Sequence, residues 1–255
     1  MPATPSAQSL ASFIDHTKLT FAPGEDEEQA IKDLCQEAKT HGFAAVCVRP
    51  RHVKLCTELL TGTTVQVATV IGFPQTKVQK DDEDSNPTLG STPTTEKVAE
   101  IQQTLADGAT ELDVVLNVGL FKSELTDPEL SQTKAELEAL HQAVGSVPIK
   151  LIIETTLLTP DQIRRITQLA AKTGMTMVKT CTGMVAGPAV QGAIVPDVLG
   201  IRAALSELEK FGTEPSKVQI KASGGIKTVE KAQHLIDAGA SRIGTSSGVE
   251  LVSNF

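Results

Sequence analysis

Two lysines and an aspartate stand in strings of apolar residues, where a charge is costly. Lys179 closes Met177-Val178-Lys179, Lys221 lies in Gln219-Ile220-Lys221-Ala222, and Asp113 sits within Glu111-Leu112-Asp113-Val114-Val115. Such groups are rarely buried without a partner or a task. For a single lysine, an ammonium reaching out to solvent is the better account of the pattern, and for the aspartate a structural salt bridge accounts for it equally well. Two lysines brought together suggest more. Only a neutral amine attacks a carbonyl, and the free side chain holds its proton up to a pKa near ~10.4. A neighbouring ammonium and partial burial both lower that value. Lowering it by roughly 3 pH units costs about 4 kcal/mol, a plausible load for those two effects. Asp113 would then move the protons that carbinolamine formation, dehydration and carbon–carbon cleavage each require. Asp15, in Ile14-Asp15-His16-Thr17, offers a further acid.

Glycine-rich strings follow two of the later apolar runs: Ser223-Gly224-Gly225-Ile226, and Gly244-Thr245-Ser246-Ser247-Gly248. Either alone marks a turn. Together, after consecutive final strands, they match the anion-binding loops of a barrel, where backbone NH groups face a phosphate.

The elements that must position these groups alternate in the chain. Short apolar runs occur at Ser12 to Asp15, Ala44 to Val48, Val65 to Ile71, Leu112 to Asn117, Ile149 to Glu154, Met177 to Lys179, Val218 to Ala222 and Arg242 to Gly244. Several are apolar throughout, as strands covered on both faces are. Helical signals lie between them. Thr159-Pro160-Asp161-Gln162 reads as a capping box with Pro at the first helical position, and Asp127-Pro128 as another helix start. Asp26 to Thr40 and Thr228 to Ala238 each run into a terminating glycine, Gly42 and Gly239. Eight strands with crossover helices favour a single (β/α)8 TIM barrel across residues 1–255 over an open doubly wound sheet, and in the barrel catalytic groups lie at the C-terminal ends of the strands. Residues 75–94, with an acidic run, two prolines and no apolar period, read as an exposed loop insertion, either a lid or a tolerated surface excursion.

Composition narrows the function classes. The 255 residues carry a formal net charge of −8 and are 40% hydrophobic, with no Trp and no Tyr. The acidic balance argues against a nucleic-acid partner, so an anionic substrate needs a local positive pocket. Four cysteines without paired spacing read as free thiols, and five scattered histidines do not suggest a metal site. No signal-like start or membrane-length apolar stretch is found, giving the expectation of a soluble cytoplasmic protein.

Taken together, the strings IDHTKL (Ile14 to Leu19), AAVCVRP (Ala44 to Pro50), VIGFP (Val70 to Pro74), ELDVVLNVG (Glu111 to Gly119), KLIIET (Lys150 to Thr155), VKTCTG (Val178 to Gly183), KASGGI (Lys221 to Ile226) and RIGTSSG (Arg242 to Gly248) resemble the deoxyribose-phosphate aldolases, class I enzymes with a (β/α)8 barrel. They span almost the whole chain in that family's order. The resemblance implies reversible cleavage of 2-deoxy-D-ribose 5-phosphate to D-glyceraldehyde 3-phosphate and acetaldehyde through a lysine Schiff base, with no cofactor or metal. It implies Lys179 as the imine-forming amine, Lys221 as the second lysine and Asp113 as the proton donor and acceptor. Gly183, Gly224, Gly225, Gly244, Ser246 and Ser247 fall where the family holds the phosphate. Asp15, Thr17, Cys47 and Lys150 match positions that line or support the site. A homodimer is the implied assembly.

Three departures stand out. Residues 75–94 are longer than the family's connection, Met184 to Val195 replaces a shorter glycine-rich turn, and a tyrosine-dependent proton route is closed to a chain without tyrosine. Two other readings stay open: an aldolase or transaldolase for another phosphorylated sugar, and a catalytically silent barrel that binds sugar phosphates or a protein partner.

Overall fold

The apolar runs pair with one another in parallel and are covered on their outer faces by helices, which is why they lack an alternating polar pattern. The computed structural model describes residues 10–80, 88–187, 189–210 and 217–255. Eight strands close a barrel: β1 (Ile14–Lys18), β2 (Ala45–Val48), β3 (Gln66–Ile71), β5 (Glu111–Val115), β6 (Ile149–Ile152), β7 (Met177–Lys179), β9 (Gln219–Ser223) and β10 (Arg242–Thr245), which pairs back onto β1. Two short strands outside it, β4 (Val78–Gln79) and β8 (Val185–Ala186), form a separate parallel pair. The main crossover helices are α1 (Glu27–His41), α2 (Val53–Leu60), α3 (Thr94–Ala106), α5 (Ser131–Val144), α6 (Pro160–Lys172), α7 (Val195–Lys210) and α8 (Val229–Asp237); the shorter α4 (Val118–Ser123) and α9 (Gly248–Ser253) follow β5 and β10. The architecture is the (β/α)8 TIM barrel that the alternation predicts. Among the described residues no helix is long and apolar enough to cross a membrane.

Helix ends follow their local chemistry. Thr159 and Gln162 form the reciprocal capping box of α6, Asp26 accepts from Gln29 N at the start of α1, and Gly42 ends that helix at φ 68°. Several boundaries differ from expectation by a few residues, among them two with consequences nearby. β1 begins at Ile14 rather than Ser12 and extends to Lys18, so Thr17 is part of the strand. Asp127 precedes α5 rather than opening it: its carboxylate accepts from Glu129 N and Ser131 N, both at 2.9 Å, and holds the turn that leads into the helix.

Residues 75–94, read as an exposed loop, are exposed where described at Gln75, Thr76, Lys77, Gln79, Thr88, Ser91 and Pro93, but they are anchored at a few points and run into a helix. Val78 is buried in β4 and Leu89 is 1% exposed, Gly90 packs against Leu116 O, and α3 begins at Thr94. The acidic run at 81–84 lies outside the described residues.

Val, Ile, Leu and Ala fill the layer between strands and helices. The inside of the barrel is different, because charged side chains from six strands meet across it.

Candidate active site

Parallel register sets the charged groups side by side. Lys179 on β7 is opposite Lys221 on β9, Asp113 on β5 is opposite Lys150 on β6, and Lys221 is opposite Arg242 on β10. Asp113 is the hub. Its Oδ2 accepts from Lys179 Nζ at 2.8 Å and Lys221 Nζ at 2.7 Å, and its Oδ1 accepts from Lys150 Nζ at 2.8 Å. Lys150 also reaches Glu111 at 2.7 Å, Lys221 also pairs with Asp15, and Arg242 joins Asp15 at 2.6 Å to Glu111 at 3.1 Å. Four cations therefore face three carboxylates in one column along the barrel. Asp15, Asp113, Lys150 and Lys221 are each 0% exposed.

Isolated charges at such depth would neutralise, but here each is paired. Burial by itself would raise the Asp113 carboxyl, yet Lys150, Lys179 and Lys221 outweigh it and hold the group well below the usual carboxylate range. Asp15 is lowered in the same way, chiefly by Lys221. Burial would lower Lys221, but Asp113 and Asp15 raise it instead. The two ammonium groups of Lys179 and Lys221, expected to repel, share one carboxylate oxygen. Lys221 is a firmly charged partner.

Above the column, at the C-terminal ends of the strands, opens a cavity of about 380 Å³. Of the three lysines bound to Asp113, only Lys179 lines it. Gly183, Gly224, Gly225, Gly244 and Ser246 line it as well, with Thr17 on the β1 side. A Cβ at Gly244 would come within 2.9 Å of Ser223 Cβ and 3.0 Å of Lys221 Cε, so a side chain there would press on the lysine below. Gly224 has φ 96°, a left-handed conformation that turns the loop back over the strand end.

Several expected contact residues sit elsewhere. Asp15 and Lys150 lie in the column beneath the cavity, and the Cys47 thiol is 3.9 Å from Asp113 Oδ2, in the buried layer rather than at the wall. Burial raises that thiol above its usual range. Ser247 is not part of the lining, and its NH is taken by Thr245 Oγ1 at 2.9 Å.

The structure also shows supporting residues that sequence reasoning passed over. Glu111 and Arg242 complete the column, although Glu111 is two residues from Asp113 on one strand and so shares its face. Arg49 donates to Leu19 O, Phe73 O and Pro74 O, which ties two rim segments together. Glu154, buried at φ 54°, accepts from Thr182 N at 2.9 Å and Thr182 Oγ1 at 2.5 Å and holds the turn after Lys179. The altered segment after Gly183 supports the glycine loop: Ala193 N donates to Gly224 O at 3.0 Å.

Comparison with known proteins gives a consistent result. Residues 10–253 match the sequence model of the DeoC/LacD family aldolases. A deoxyribose-phosphate aldolase of Brevibacillus brevis is 41% identical over 245 residues, covering 96% of each chain. Deoxyribose-phosphate aldolase 1 of Oceanobacillus iheyensis is also 41% identical, over 244 residues and 96% of each chain. Among solved structures, a candidate deoxyribose-phosphate aldolase from Coccidioides immitis superposes with a TM-score of 0.83 at 34% identity, covering 100% of this chain and 88% of that one. The tetrameric deoxyribose phosphate aldolase of Aeropyrum pernix gives 0.76 at 28% identity, covering 98% and 92%.

Proposed function

This chain belongs to the DeoC/LacD aldolase family, and we infer that it cleaves 2-deoxy-D-ribose 5-phosphate reversibly to D-glyceraldehyde 3-phosphate and acetaldehyde, with Lys179 as the Schiff-base lysine. One observation carries the assignment of the amine: of the three lysines clustered on Asp113, Lys179 alone reaches the cavity. The neutral Lys179 amine adds to the C1 aldehyde, and the resulting carbinolamine loses water to give an iminium. The C3 hydroxyl then gives up its proton as the C2–C3 bond breaks. Its electron pair passes to C2 as the enamine, and glyceraldehyde 3-phosphate departs. Protonation at C2 and addition of water to the imine release acetaldehyde and restore the amine.

Asp113, 2.8 Å from the reacting nitrogen, is the group placed to exchange these protons. With three ammonium groups around it, it is a poor base. Once Lys179 is neutral, three cations remain opposite three carboxylates. One of Asp113's cations is gone at that point, which makes it a better acceptor. Lys221 holds the carboxylate in place, and Gly183, Gly224, Gly225, Gly244 and Ser246 offer the phosphate a cradle with little side-chain bulk. Asp15 and Lys150 act from beneath, by fixing the charges, Cys47 packs in the same buried layer with its thiol 3.9 Å from Asp113 Oδ2, and Thr17 closes the near wall. The family's homodimer is the assembly we carry forward, with size-exclusion chromatography and light scattering as its test, since the Aeropyrum pernix relative is tetrameric.

Incubation with substrate and borohydride is expected to leave an N-ethyl mark on Lys179, read by peptide mass spectrometry, and Lys179→Ala is expected to abolish both mark and activity. Full activity in that variant would sink the assignment. Parallel assays with ribose 5-phosphate and fructose phosphates check the sugar.

A further inference from the structure

Beside the glycine cradle, the cavity is lined by four lysines: Lys18, Lys77, Lys179 and Lys227. Two are already committed, Lys18 to Glu25 at 2.5 Å and Lys179 to Asp113. Lys77 has no carboxylate partner among the described residues, and it comes from an unexpected place, the segment read from sequence as an exposed insertion. A pair of strands holds it there. Val78 N donates to Met184 O at 2.9 Å and Lys80 N to Ala186 O at 2.8 Å, so β4 lies against β8 with Val78 opposite Val185. Lys77 therefore stands one step before that pair, beside Met184, which follows Gly183 directly. A Cβ on Gly183 would lie 3.8 Å from Gly224 Cα, so Lys77 enters the cavity on the side of the glycine cradle.

We propose that Lys77, delivered by the β4–β8 pair, is a binding residue for the substrate's phosphate and a determinant of the preference for phosphorylated over unphosphorylated sugar. The proposal deepens the aldolase reading and rests on it for the identity of the sugar. The cradle's backbone NH groups are neutral donors, and a protein of net charge −8 gains most from a local cation at the mouth. A lysine is suited to that position: it carries a compact charge on a flexible stem that can follow a phosphate into place. The bond it makes is charge-assisted but at the rim, so it is screened by salt.

The test compares wild type, Lys77→Met and Lys77→Arg on 2-deoxyribose 5-phosphate and on 2-deoxyribose, at low and moderate salt. In Lys77→Met, KM for the phosphorylated sugar is expected to rise about tenfold with kcat little changed. For 2-deoxyribose, kcat/KM is expected to stay as in wild type, Lys77→Arg should keep most of the phosphate preference, and KM should depend less on salt in Lys77→Met. An unchanged KM for the phosphorylated sugar, or an equal loss on both sugars, would overturn the proposal. Calorimetric titration with inorganic phosphate reads the same subsite without the reaction. About tenfold weaker binding in Lys77→Met supports the assignment, and equal binding overturns it. A wild-type protein that binds phosphate through Lys77 but cleaves no 2-deoxyribose 5-phosphate would defeat the aldolase reading alone.

Discussion

In the proposed reaction Lys221 serves without touching the cavity. Its ammonium is shared between Asp15 and Asp113, all three fully buried. Replacing it with methionine keeps much of the volume but leaves two carboxylates short of a cation. Breaking a buried ion pair from one side costs about 3 to 5 kcal/mol. Lys221→Met is therefore expected to lose about that much in urea unfolding, together with most of its activity; an unchanged unfolding midpoint would show that the column is not held by charge. Both lysines and Asp113 were legible in the sequence because charges inside apolar strings demand an explanation. The direction of the electrostatics was not. Two lysines in neighbouring strings suggested mutual repulsion, and only the side-chain hydrogen bonds across the barrel revealed that both donate to Asp113 Oδ2. Glu111 and Arg242 escaped because they lie at strand starts, where charge is ordinary.

At the scale of elements, apolar runs and capping residues gave the alternation of strands and helices, and boundaries moved by a few residues where a turn competed with a helix, as at Asp127. Two of the three departures from the family's pattern, residues 75–94 and Met184 to Val195, were visible only as anomalies. No periodicity announces a two-residue strand, and neither β4 nor β8 has meaning without its partner. Their pairing links the loops after β3 and β7. The segment that contains β8 goes on to brace the glycine loop: Gly192 adopts φ 67°, and a Cβ there would come within 2.2 Å of Gly224 O. Gly192→Val is expected to displace the cradle, raising KM for the phosphorylated sugar by tenfold or more (about 1.4 kcal/mol) while Lys179 still traps acetaldehyde with borohydride. Wild-type KM in this variant would mean that the segment does not position the cradle.

For the whole molecule the column dictates a response to pH. Asp15 and Asp113 have folded values below the ordinary 3.8. Between those values and 3.8 the unfolded chain binds more protons than the folded one, so their contribution is full above 3.8 and is lost as pH falls through the folded values. Lys150 and Lys221 lie above the ordinary 10.5, so theirs is full below 10.5 and is lost as pH rises through the folded values. Thermal midpoints are expected to fall steeply below about pH 4, and in Lys221→Met the fall should begin at higher pH because Asp15 has lost its main cation and Asp113 one of three. Superimposable acid limbs for the two proteins would contradict this.

The same column plugs the barrel from within, leaving the mouth above Lys179 as the route between the imine and bulk water. The water that hydrolyses the acetaldehyde imine must enter where glyceraldehyde 3-phosphate has just been held. In the proposed reaction release is then ordered: the three-carbon phosphate leaves the mouth first and clears the way for that water, and the two-carbon aldehyde, held on Lys179 until hydrolysis, leaves last.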